Sequence, residues 1–217
     1  MSAAATKFDD ETLADLLRRL GNISPRRVRW HPTPGTATEK DLLRLERKTN
    51  RLCELVDGTL VEKAVGVDEA FLAMSLGSML HQFIGPRNAG WLTGPDGIYR
   101  LFAGLIRMPD LAFVSWDRCP GRRRPRTPIS PIVPDLAIEI LSRKNTKAEM
   151  ERKRREYFAA GVRLVWLVDP RGRTVQVYTA ADKFATLRES DTLTGEPALP
   201  GFKLRLRDLF AELDRHG

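Results

Sequence analysis

Residues 131–170 read PIVPDLAIEILSRKNTKAEMERKRREYFAAGVRLVWLVDP, and their pattern decides the fold. Residues 135–141 are an almost unbroken aliphatic run, the signature of a strand buried on both faces inside a helix-covered sheet. Glu139 interrupts that run. An ionised carboxylate in apolar surroundings is costly unless a cation or hydrogen-bond donors meet it, so Glu139 belongs either to a structural ion pair or to a site. Thr146 followed by Glu149 fits a capping box that opens a helix running to about Ala160 and stopping at Gly161. Met150, Tyr157 and Phe158 share one face of that helix. Lys153 flanks this stripe and Arg154 lies nearer its centre, so helical geometry does not choose which cation points inward. Residues 162–168 read as a second strand, Asp169-Pro170-Arg171-Gly172 as a turn, and 173–178 as a third strand closing a hairpin.

A chain of 217 residues, 42% hydrophobic and 29% charged, suits one globular domain with peripheral additions. No apolar run reaches membrane-span length, and residues 1–10 lack the apolar core of a secretory signal. Cys53 and Cys119 form no metal-ligand spacing, which points to a reducing, cytoplasmic setting. His31, His81 and His216 are scattered, which argues against a zinc site or a His-based hydrolase. The formal net charge of +8 and pI of 9.9 favour a polyanionic partner, nucleic acid before a membrane surface.

Outside the central unit, residues 9–20 predict a helix with acids at its start and Gly21 beyond its end, and 38–48 predict a second. Together residues 1–50 form an expected N-terminal helical extension to a domain at 51–217. Residues 52–62 predict a hairpin on the Asp57-Gly58 turn. Asp68 is placed to cap the next helix, whose Leu72, Leu76, Met79, Leu80 and Phe83 make a core stripe. Two short strands are expected around residues 94–97. Residues 105–114 read as one apolar strand carrying a single carboxylate, Asp110. The segment 118–131, RCPGRRRPRTPISP, has five arginines and no acids and predicts an extended loop. Its Arg122, Arg123, Arg124 and Arg126 are candidates for gripping phosphates. Residues 184–187 and 202–206 predict edge strands, and 208–213 a short closing helix.

Two strands thus carry one carboxylate each, Asp110 and Glu139. Brought together they would repel unless a divalent cation sat between them, the usual device for cleaving phosphodiesters. From about residue 52 to 213 the chain resembles the putative restriction endonuclease family within the PD-(D/E)XK nuclease superfamily. The pieces that carry the resemblance are CELVDGTLVEK (53–63), MPDLAFVSWDR (108–118), VPDLAIEILS (133–142), KRREYFAAGVRLVWLVDP (153–170), TVQVY (174–178) and LPGFKLRLRDLF (199–210).

The resemblance implies an α/β (α+β) restriction-endonuclease-like fold, a four-stranded mixed core sheet flanked by helices, with hairpins added here. It implies Asp110 and Glu139, with the backbone carbonyl of Ile140, as ligands for Mg²⁺ or Mn²⁺. The superfamily lysine lies two residues after the second acid, where this chain has Leu141. The family places it on the following helix, which selects Lys153 over Arg154. That lysine would orient the attacking water or neutralise the transition state. The N-terminal acid falls on Glu54 through the ELVDG match, with Glu69 on the first core helix as the alternative. The implied activity is a metal-dependent endonuclease, with double-stranded DNA as partner and a homodimer as assembly. A different class of function, a nucleic-acid-binding module of mobile elements without turnover, keeps the same fold.

Overall fold

The computed structural model describes residues 11–49, 51–64 and 66–215. The start of the first expected helix, the N-terminal stretch and His216 lie outside them.

Helix α1 (Leu13–Arg19) opens on a Thr12/Asp15 capping box and ends before Gly21, whose φ is 88°. Helix α2 (Glu39–Thr49) follows, then the hairpin of β1 (Cys53–Val56) and β2 (Thr59–Glu62). Asp57 and Gly58 at its turn have φ of 48° and 69°, as a tight hairpin turn requires. Helix α3 (Val67–Arg87) begins one residue before Asp68, with Gly66 at the cap position. Asp68 therefore sits inside the first turn, where it meets the positive end of the helix dipole instead of capping it.

The run at 105–114 is broken. Strand β3 (Gly90–Thr93) is followed by β4 (Tyr99–Phe102), β5 (Leu105–Arg107) and β6 (Leu111–Ser115). Strands β4 and β5 join β1 and β2 in a four-stranded sheet of order β2-β1-β5-β4. Strands β3 and β6 belong to the main sheet. Met108-Pro109-Asp110 is thus a crossing between two sheets, and Pro109, lacking an N–H, suits a break in the ladder.

Strand β7 (Leu136–Ile140), helix α4 (Lys147–Ala159), strand β8 (Leu164–Asp169), and strands β9 (Thr174–Ala180) and β10 (Lys183–Arg188) complete the main sheet, in order β10-β9-β8-β7-β6-β3. Only β7 and β8 run parallel, with α4 as their crossover. The sheet holds six strands where the resemblance implied four, because the β9–β10 hairpin extends it. Strands β11 (Thr192–Thr194) and β12 (Lys203–Arg205) pair with each other, and α5 (Leu206–Phe210) closes the chain with a short 3-10 turn.

Strand alternation sorts the two faces. Leu136, Ile138 and Ile140 pack with Leu72, Leu76 and Leu80 of α3 and with Phe210 of α5. Replacing a leucine there with alanine costs about 2–5 kcal/mol. The other residues of β7, Ala137 and Glu139, face α4, where Ala137 meets Met150, Tyr157, Val165 and Leu167, with Leu16 and Leu20 of α1 beyond. A smaller core under the second sheet gathers Leu42, Leu55, Leu60 and Ile106. No helix among the described residues is long and apolar enough to cross a membrane.

Candidate active site

The two sheets meet α4 at one place, and a cluster of charged residues, most of them buried, collects there. Glu54 arrives on β1, Arg107 at the end of β5, Asp110 in the crossing, Glu139 on β7, and Lys153, Glu156 and Tyr157 on α4. Lys63 follows β2. Main-chain bonds fix Asp110 to β7 on both sides of Glu139. Its own N–H donates to the Ile138 carbonyl at 2.9 Å. The Ile140 N–H donates to its Oδ2 at 2.7 Å.

The Lys153 ammonium donates to both oxygens of Glu139, at 3.1 and 3.2 Å, and stands 3.0 Å from Glu54 Oε1. Tyr157, expected only as core packing, donates its hydroxyl to Glu139 Oε1 at 2.6 Å. Glu54 also accepts from Arg107 at 2.7 Å and from the Met108 N–H at 3.0 Å. Arg107 reaches on to Glu156 at 2.5 Å. Lys63 donates to Asp110 Oδ1 at 2.9 Å and to the Pro95 carbonyl at 3.0 Å. Of Glu54, Asp110 and Glu139, Asp110 is the most open, its side chain 16% exposed against 1% for Glu54 and 5% for Glu139.

Glu54 and Glu139 share one ammonium and are pushed in opposite directions. Burial would raise both carboxyls. At Glu54 it is outweighed by Lys153, Arg107 and the Met108 amide, which hold the group well below the usual carboxylate range. At Glu139 burial wins, because the negative charges of Asp110 and Glu54 work against Lys153, and the carboxyl is pushed up. For Lys153 the two carboxylates overcome the effect of burial, so the ammonium is held charged. Burial and the charge of Glu139 push the Tyr157 hydroxyl well up, so it serves as a donor and not as a phenolate.

The structure therefore brings Asp110, Glu139, Lys153 and Glu54 together. Arg154, the other helical cation, stacks over Tyr178 instead. Glu69 lies apart, in the first turn of α3 with its carboxylate folded toward Gly66. Arg122, Arg123, Arg124 and Arg126 are exposed on the loop after β6. Arg118 leaves that group, donating to Asp135 and the Gly161 carbonyl. Glu149 completes only half of a capping box. Thr146 accepts from its N–H, while its carboxylate goes to Arg27 in a buried bidentate pair at 2.7 and 3.0 Å.

Among the described residues no three His, Cys, Asp or Glu side chains converge as a metal cluster. The oxygen donors in this cluster that fit a hard cation are the carboxylates of Asp110 and Glu139. Such a cation would offset the burial and the neighbouring negative charges that lift Glu139, and Lys63 already donates its ammonium to Asp110 and to the Pro95 carbonyl.

A sequence model of the Uma2 family, described as putative restriction endonuclease, matches residues 40–207. Among solved structures, a putative nuclease from Anabaena variabilis superimposes with a TM-score of 0.70 at 21% identity. That match covers 81% of this chain and 98% of the other, and shows a shared fold. No curated protein sequence matches the chain. The fold is restriction-endonuclease-like, and the chain belongs to the Uma2 family of putative restriction endonucleases.

Proposed function

We propose that this chain is an endonuclease that hydrolyses phosphodiester bonds of DNA with Mg²⁺ or Mn²⁺. The observation that supports this most is the meeting of Asp110, Glu139, Glu54 and Lys153, from four separate elements, at one junction. Asp110, Glu139 and the Ile140 carbonyl would hold the cation, which when bound would polarise the phosphate and acidify water. The remaining work falls to the protein's own groups. Glu54, fixed by Arg107 and the Met108 N–H, anchors Lys153 from behind. Lys153, held protonated, keeps a positive charge where negative charge develops on the phosphoryl oxygens. Tyr157 and Lys153 together orient the Glu139 carboxylate. We assign residues 51–217 as the nuclease domain and 1–50 as its helical extension. One such site cuts one strand, so a homodimer is the assembly proposed for cutting both.

The test is cleavage of plasmid DNA by the whole chain with Mg²⁺ or Mn²⁺. Nicked or linear product is expected with either ion, and none with EDTA or in Asp110→Asn. Intact plasmid, oligonucleotide and RNA at every ion tested would overturn the proposal. A second reading, a binding module without turnover, is favoured by one observation: Asp110 and Glu139 are each already paired with a lysine. The stability of Glu139→Gln in the absence of metal separates the two readings.

A further inference from the structure

A cavity of about 490 Å³ lies between α4 and strands β8 to β10, lined by none of the clustered site residues, and the activity proposed above does not use it. Its size is that of a small-ligand pocket. Two aromatic rings line it, Tyr178 on β9 and Phe184 on the edge strand β10, stacked with centroids 4.8 Å apart and planes 26° from parallel. Phe184 is 51% exposed, so one face of its ring is open to a ligand. Arg154 also lines the cavity, its guanidinium 4.6 Å from the Tyr178 ring centroid. This side chain is only 10% exposed, yet its Nε has no hydrogen-bond partner among the described residues. Its ion pair with the exposed Asp182 is loose at 3.5 Å. Lys147, the first residue of α4, and Arg171, in the β8–β9 turn, line it as well, so with Arg154 three cations face the single carboxylate of Glu151. The start of a helix adds free N–H groups that favour a phosphate.

A purely structural stack would account for the Tyr178–Phe184 pair. It leaves unexplained a buried N–H without an acceptor, on a side chain that lines an open cavity in which cations outnumber carboxylates. The ligand class that answers all of these has a flat ring to stack, acceptor atoms for a guanidinium, and a phosphate. We infer that the cavity is a nucleotide subsite, taking one unstacked base on the exposed ring of Phe184, which the buried Tyr178 backs, with the Arg154 guanidinium as donor and the phosphate near Lys147 and Arg171. The source would be either a free nucleotide or one nucleotide of a bound strand. The inference does not depend on cleavage.

The probe is 2-aminopurine, whose fluorescence is quenched on stacking, titrated into the whole chain in EDTA. One arm uses the free deoxynucleoside monophosphate and the other a single-stranded oligonucleotide carrying the same base. Saturable quenching is expected, and the arm with the lower Kd identifies the source. Phe184→Ala, at an exposed position that leaves the core intact, should weaken binding about tenfold, as removal of one base–aromatic stack does. Absence of quenching in both arms would overturn the inference, as would quenching in Phe184→Ala equal to that of the unaltered chain. Quenching with no plasmid cleavage would sustain the subsite and count only against the nuclease.

Discussion

Two carboxylates around one ammonium give mutational predictions of different sign. The Glu54 carboxyl is held low, so its ionised form stabilises the fold above the ordinary carboxylate range of about 4.3. The Glu139 carboxyl is held high, so its ionised form opposes folding, and that cost grows as pH rises through and above the same range. Glu54→Gln removes an anion that two buried cations use, and should cost about 3 kcal/mol at neutral pH. That penalty should shrink as pH falls below about 4.3, where the unfolded chain takes up the proton. Glu139→Gln keeps an acceptor for Lys153 and Tyr157 and leaves Lys153 on Glu54, so stability in EDTA should hold or rise. Urea melts of both variants in EDTA check this, and a larger destabilisation in Glu139→Gln would favour the module without turnover. Asp110 and Glu139 were legible in the sequence because a lone carboxylate in an aliphatic run is anomalous. Lys63 and Arg107 were not, because their acids lie 47 and 53 residues away and nothing local marks the pairing.

At the scale of elements, α4 joins the site to the N-terminal segment. One side carries Lys153, Glu156 and Tyr157 into the site. Glu149 and Arg152 tie the helix to Arg27, the Arg19 carbonyl and Asp57, outside β7, β8 and the strands beside them. The closest approach is at Gly21, where a Cβ would lie 2.6 Å from the Glu149 backbone at a φ of 88°. Gly21→Ala should therefore push α1 off α4 and cost on the order of 2 kcal/mol, checked by denaturant melts. A melt equal to that of the unaltered chain would show that this close approach relaxes freely. The sequence predicted α4, its Gly161 stop and the β7–β8 strands closely, because buried strand and capped helix are local patterns. It read 105–114 as one strand, because apolar character continues across the crossing while the partner strands change. Sheet membership is set by those partners: β5 pairs with β1 and β6 with β7, pairings that no window around Pro109 contains.

Over the whole molecule the formal charge of +8 is unevenly spread. Arg27, Lys63, Arg107 and Lys153 are buried and spent on carboxylates. The excess therefore lies at the surface, and residues 118–131 contain no acid to offset their arginines. Arg123, Arg124 and Arg126 line one shallow cavity together, while Arg122 only reaches the exposed Asp117 at 4.0 Å. Exposed guanidiniums without close carboxylates are free to meet phosphates. DNA binding by the chain should then weaken as salt rises, with a log–log slope that counts the phosphates neutralised. Replacing Arg122, Arg123, Arg124 and Arg126 with alanine should flatten that slope by about 0.9 for each phosphate of duplex DNA no longer neutralised. The melting transition should not move, because these side chains are exposed and support no core residue. Anisotropy titrations of a labelled duplex at several salt concentrations measure the slope directly. A slope unchanged by all four substitutions would make the loop a solvated coil and place the DNA-binding charge elsewhere on the surface.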